Sequence, residues 1–88
     1  MENSDLIKQF INGDEKSFDV LVKKNQEWVI NLIRSIVHDK FNSEDIAQDV
    51  FVSIYFSLHK FRFDSSFKTW MYRVIINRIN NYFRKEKL

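Results

Sequence analysis

The sequence has no cysteine and no proline, and only one glycine and two histidines among its 88 residues. Without cysteine there is neither a disulfide framework nor a thiolate metal site. His38 and His59 lie a helix apart and share no close ligand spacing, so no zinc site is expected, nor any other metal or cofactor. The scarcity of glycine and proline removes the usual turn-formers and argues against a turn-rich sheet protein. No uninterrupted apolar run approaches the roughly 18 residues that span a bilayer. The amino terminus, MENSDLIKQF, opens with acids rather than a basic stretch and an apolar segment, so it does not read as an export signal. A cytoplasmic protein without membrane contact is the expectation.

Catalytic signatures are missing as well. There is no glycine-rich phosphate loop, no cysteine nucleophile and no Ser/His/Asp set of plausible geometry, so no enzyme is expected. Asp45 and Asp49 stand at i, i+4, but solvated surface acids account for them better than a metal-binding pair. No second helix offers the Glu-x-x-His ligands of a di-iron bundle.

What is present is apolar and aromatic: 44% hydrophobic residues and 16% aromatic, nine of them Phe. That is enough for the core of one small domain spanning residues 1–88. The net charge of +2 conceals a polarised chain. Residues 1–58 carry six Lys/Arg against ten Asp/Glu, and residues 59–88 carry eight against two. Such a distribution points to a polyanion at the carboxyl end and a different partner elsewhere, the bland alternative being a solvated basic tail.

Hydrophobic spacing predicts an all-α fold, a compact bundle of about four helices. The first runs from about Asp5 to Asn12, capped by Ser4 and stopped by Gly13 in a left-handed ending. Asp14 caps a long second helix reaching His38. Its stripe of Phe18, Leu21, Val22, Val29, Leu32, Ile33, Ile36 and Val37 is interrupted by Asn25, with Trp28 on its edge. A turn over residues 39–43 leads to a third helix capped by Asn42 or Ser43, with Glu44 and Asp45 in its first turn. Ile46, Val50, Ile54 and Leu58 form an i, i+4 core column, joined by Ala47 and Phe51. After the loop HKFRFDSS, residues 59–66, the last helix runs from about Ser66 to Lys85. It turns Phe67, Met71, Val74, Ile75, Ile79 and Tyr82 inward. Arg78 falls inside that apolar arc, a place explained only by snorkelling towards the bundle end.

Two surfaces carry functional promise. Thr69, Arg73, Asn77, Asn80 and Arg84 share the outer face of the last helix, where guanidinium and amide groups suit phosphates and base edges. The loop ahead interleaves Lys60, Arg62 and Lys68 with Phe61, Phe63 and Phe67. Unpaired nucleic acid favours this mixture, because cations neutralise its backbone and rings restore stacking at roughly 1–3 kcal/mol per base. Taken singly, these rings and Trp70 also suit simple closure of the bundle end. The second surface is the outer side of the third helix, where Asp45, Gln48 and Asp49 flank Val52, Tyr55 and Phe56. An apolar patch with a polar rim fits a protein-binding site. The alternative is that the first helix covers it through Leu6, Ile7, Phe10 and Ile11.

Three segments resemble the extracytoplasmic-function sigma factors of bacteria. EDIAQDVFVSIYFSLHKF, residues 44–61, is similar to the acidic D-x-x-Q-[DE]-x-F helix that these factors present to RNA polymerase. FKTWMYRVIINRINNY, residues 67–82, resembles the F-x-T-W-[LM]-Y-R-[IV]-x-x-N helix that reads the −10 promoter element. GDEKSFDVLVKKNQEWV, residues 13–29, resembles the opening of the same class. The likeness implies a region 2 domain that takes part in transcription initiation by binding the clamp coiled coil of the largest polymerase subunit. Asp45, Gln48, Asp49, Val52 and Tyr55 would make that contact.

It also implies capture of the unpaired non-template strand, with a −10 base flipped into a pocket beside the loop. Lys60, Arg62, Asp64, Ser65, Lys68, Trp70, Arg73, Asn77, Asn80 and Arg84 would serve DNA. Asn77 and the loop would contact bases, and the cations would mostly hold phosphates. An anti-sigma protein is a further implied partner. Trp70 is followed by Met71, where primary sigma factors carry a second tryptophan, so a double aromatic wedge is absent. The chain ends where relatives continue into a helix-turn-helix domain, and a fragment cut at the domain boundary is the expectation. The alternative from another class is a helical protein-interaction module without direct DNA reading. A third, a basic end resting on anionic lipid, is poorly served by the amides on the last helix.

Overall fold

Each predicted helix forms, and its ends follow from local chemistry. The computed structural model describes residues 2–86; Met1, Lys87 and Leu88, the last two belonging to the terminus read above as a domain boundary, lie outside the described residues. Helix α1 spans Asn3–Ile11, with Glu2 as an N-cap that makes no side-chain hydrogen bond. Ser4 therefore lies in the first turn and does not cap it, a correction to the expected start. Its end is as expected. The Gly13 N–H donates to the Phe10 carbonyl and the Asp14 N–H to the Gln9 carbonyl, both at 3.0 Å, the paired bonds of a Schellman ending. Gly13 sits at φ +106° with open space where a Cβ would stand, so conformation alone selects glycine.

Helix α2, Glu15–Val37, starts on Asp14, whose carboxylate accepts from the Lys16 N–H. It ends on His38 in the left-handed region. Asp39 then caps α3, Lys40–Ser57, by accepting from the Asn42 N–H. This corrects the expected cap at Asn42 or Ser43: a carboxylate stands three residues earlier, and Lys40 and Phe41 join the helix. Glu44 and Asp45 consequently sit beyond the first turn, away from the helix-end field. A single 3-10 turn, Leu58–Lys60, takes the chain out of α3. After a loop, Ser66 accepts from the Thr69 N–H at 3.1 Å and opens α4, Phe67–Glu86.

Most of the core is drawn from the predicted stripes. Leu21, Val29 and Ile33 of α2 meet Ile46, Ala47, Val50 and Ile54 of α3, Leu58 beyond it, and Phe67, Met71, Ile75 and Ile79 of α4. Leu6 and Ile7 of α1 and Phe61 of the loop are buried with them, whereas Phe18, Val22, Leu32, Ile36 and Val37 of the α2 stripe, and Phe51, Val74 and Tyr82, reach only half-burial. At roughly 1.5–3 kcal/mol per buried large side chain, this set supplies most of the drive to fold. The radius of gyration is 13.3 Å and the extents are 41 × 20 × 20 Å. A rounder domain of this length would have a radius near 12 Å, so the bundle is a short rod with two usable ends. No helix among the described residues is long and apolar enough to cross a membrane.

Candidate partner and nucleic-acid surfaces

The outer face of α3 is open. Asp45, Gln48, Asp49 and Val52 are exposed, and Tyr55 is half-buried. Helix α1 explains Tyr55: its Phe10 ring lies 5.4 Å from the tyrosine ring, and Phe18 of α2 approaches edge-on at 5.1 Å. The Tyr55 hydroxyl donates to the Glu15 carboxylate at 3.0 Å. That hydrogen bond, then the carboxylate's charge, raises the phenol above its ordinary value. Cover by α1, the alternative to an open face, thus reaches Tyr55 and stops there. Val52 stays 56% exposed and Phe56 70%. With Phe18, Phe51 and Tyr55 they line an apolar depression of about 260 Å³. Exposed side chains of that size with an acidic flank suit a protein partner.

The outer face of α4 carries Thr69, Arg73, Asn77, Asn80 and Arg84, all exposed. Lys60, Arg62, Asp64 and Lys68 are exposed too, and Ser65 is half-buried. The loop rings divide. Phe61 and Phe67 are buried, and the half-buried Trp70 stacks on Phe67 at 6.0 Å and meets Phe61 at 5.6 Å. Closure of the bundle end is therefore the role of Phe61 and Phe67. Phe63, at φ +59°, is 41% exposed and leans on Phe61 at 4.7 Å. Two lysines lie over rings here: Lys68 over Trp28 at 5.1 Å, and Lys8 of α1 over Phe63 at 5.5 Å. A cavity of about 390 Å³ opens between the loop and the start of α1, lined by Asn3, Ser4, Phe61, Phe63, Ser65 and Phe67 among others. Its size lies in the lower part of the small-molecule range.

The two surfaces meet at the far end of the rod. A groove of about 480 Å³ has Asp45 and Asp49 on its α3 wall and Arg78, Arg84 and Lys85 on its α4 wall. At its base the Asn42 side-chain amide donates to the Tyr82 hydroxyl at 3.1 Å and to Asp39 at 2.8 Å. Asp39 is held below the usual carboxylate value by the Asn42 N–H and then by that amide. Burial, then the charges of Glu86 and Asp39, raise the Tyr82 phenol. Arg78, out of place in an apolar arc, is exposed and reaches this groove, as snorkelling requires. Among the described residues no group of acids, histidines or cysteines can hold a metal ion.

All fifteen residues expected at the two surfaces have access to solvent, in full or in part. Sequence reasoning missed Phe18 and Phe51 in the apolar depression, because both also fit a core stripe. It gave Asn3 and Lys8 no role, and Ser4 only that of a helix cap. Nothing in a one-dimensional pattern brings the first helix to a loop some sixty positions later.

Comparison with known proteins adds the context. The family model for sigma-70 region 2 matches residues 21–88. The RNA polymerase sigma-H factor of Pseudomonas aeruginosa is 40% identical over 81 residues, which are 92% of this chain and 42% of that protein. The ECF RNA polymerase sigma-E factor of Escherichia coli K12 is 36% identical over 77 residues, 88% of this chain and 40% of that protein. The chain therefore spans about two fifths of the length of these relatives. Among solved structures, an engineered region 2 of sigmaE in complex with GTAAAA superposes with a TM-score of 0.91 at 29% identity. The match covers 99% of this chain and 90% of that one.

Proposed function

The chain belongs to the sigma-70 region 2 family, and on that premise we propose that it joins core RNA polymerase to the opened −10 element during transcription initiation. In this reading residues 1–88 are one region 2 domain, cytoplasmic and without enzymatic activity. The observation that carries it is the exposed amide and guanidinium face of α4, which runs into a loop cavity at one end of the rod. A sigmaE region 2 with the same fold has been solved in complex with GTAAAA, which supports single-stranded promoter DNA as the ligand of that face. Asn77 and the loop residues Asp64 and Ser65 read bases. Lys60, Arg62, Lys68, Arg73 and Arg84 hold phosphates, Asn80 adds a polar contact, and Trp70 backs the cavity wall.

The α3 face supports the second half of the proposal. Asp45, Gln48 and Asp49 offer carboxylates and an amide to a basic partner, and Val52 and Tyr55 supply the apolar centre that Phe56 enlarges. The clamp coiled coil of the largest polymerase subunit is the proposed partner, and an anti-sigma protein covering the same face is the proposed competitor. Asp49→Arg tests this. The residue is exposed, so the variant is expected to keep its melting temperature while binding to the isolated clamp coiled coil falls at least tenfold. A pull-down that retains full binding removes the assignment.

A further inference from the structure

Asn25 is a buried amide, 3% exposed, in the inward-facing stripe of α2. A buried polar group is costly unless bonded, and this one has two partners. Its Nδ2 donates to the Leu21 carbonyl at 2.8 Å in its own helix and to the Asn3 Oδ1 at 3.3 Å in α1. The second bond crosses between helices and fixes the side chain of Asn3. With its oxygen engaged, the Asn3 amide has its NH2 group left to offer.

Asn3 stands on the rim of the loop cavity with Glu2 and Ser4 beside it, opposite the rings of Phe61, Phe63 and Phe67. One wall is therefore aromatic, and the other presents an amide, a hydroxyl and a carboxylate. Glu2 and Lys68 both line the cavity and offset each other's charge, so its walls carry no net positive charge to favour a bare phosphate. A flat neutral ring with donors and acceptors on its edge suits both walls at once. Lys8, over the Phe63 ring at 5.5 Å, adds a contact between the loop and α1.

We infer that the first turn of α1 is the edge-reading wall of this cavity, with Asn3 and Ser4 contacting the hydrogen-bonding edge of one captured base. Asn25 is the positioning residue that aims Asn3. The inference rests on the proposed function and adds to it a specificity element outside the loop and α4.

The experiment uses the full chain with core polymerase and single-stranded DNA hexamers. Each hexamer carries one of the four bases, or an abasic site, at one position in rotation, and binding is read by fluorescence anisotropy at low salt. At one position the wild type is expected to discriminate among bases. Asn3→Ala and Asn3→Asp, which both remove the NH2 donor, should flatten that preference by roughly three- to tenfold while binding of the abasic hexamer holds steady. Asn25→Leu should flatten the same position and no other, with its urea midpoint measured alongside to separate aiming from folding. Preference unchanged in both Asn3 variants overturns the inference, as does an equal loss across all hexamers including the abasic one. If the wild type with polymerase binds none of them, the proposed function itself falls and takes this inference with it.

Discussion

Asp39 shows how much one side chain settles. Its carboxylate accepts from the Asn42 N–H and from the Asn42 side chain, which in turn donates to Tyr82 of α4. One acid thus starts α3 and steadies the end of α4. The N–H bond, first, and the side-chain bond lower its pKa below the ordinary 3.8. Because the folded value lies below the unfolded one, the stabilisation is complete above the unfolded value and is lost as pH falls through the folded one. Hydrogen exchange at the Asn42 amide, corrected for its intrinsic rate, is expected to accelerate on acidification below 3.8 in the wild type. Asp39→Asn, which cannot ionise, should show no such transition. A matching transition in that variant would assign the effect to another acid. The sequence placed the cap three or four residues too late, since Asn42 and Ser43 are equally good cap types and only geometry ranks them.

At the scale of a helix, the proposed function gives α4 two kinds of contact along one exposed stripe. Asn77 can donate and accept, as a base edge demands, whereas Arg84 offers only donors and a permanent charge. Asn77→Ala is expected to change the ranking of −10 sequences with little change in salt dependence. Arg84→Ala should weaken all sequences alike and lower the log–log salt slope by about 0.7 on single strands. Titrations across a salt series with three oligonucleotides decide this, and identical responses of the two variants would contradict the roles. Arg84 also lines the groove that holds Asp45 and Asp49, so its slope is best read with the α3 face free. The stripe was legible in the sequence because a 100° period sorts residues onto faces. Which rings of the loop stay exposed was not legible. The helix period turns Phe67 inward, but Phe61 and Phe63 look alike in sequence, and only the left-handed turn at Phe63 leaves that ring partly exposed.

For the whole molecule, the small size governs what it tolerates. A domain of this length has a total stability of roughly 5–13 kcal/mol. Ile54 is 1% exposed, between the surface face of α3 and the rest of the core. Ile54→Ala is expected to cost about 2–5 kcal/mol, a large share of that total. Calorimetry should show a lower and broader transition, and a shift of only a degree or two would mean that the core closes around the gap. The rod also carries opposite charge along its sequence, with the surplus of acids before residue 59 and of bases after it. Folding brings part of each into the same groove at the end of α3 and α4. The proposed partner-binding and DNA-binding surfaces are thus neighbours and not opposite poles.

The sequence by itself determined the helices, the inward column of each one, and the two exposed faces with their chemistry. These follow from a repeat of 3.6 residues and from the absence of turn-formers, both local properties. Tertiary structure alone decided that α1 stops at Tyr55 and leaves Val52 and Phe56 open. It also decided that Asn25 reaches Asn3, and that α1 comes to lie against a loop far along the chain. The physical reason is that a helix period fixes which side of a helix is apolar but not which neighbour meets it. Only the packing of whole helices against one another chooses that neighbour.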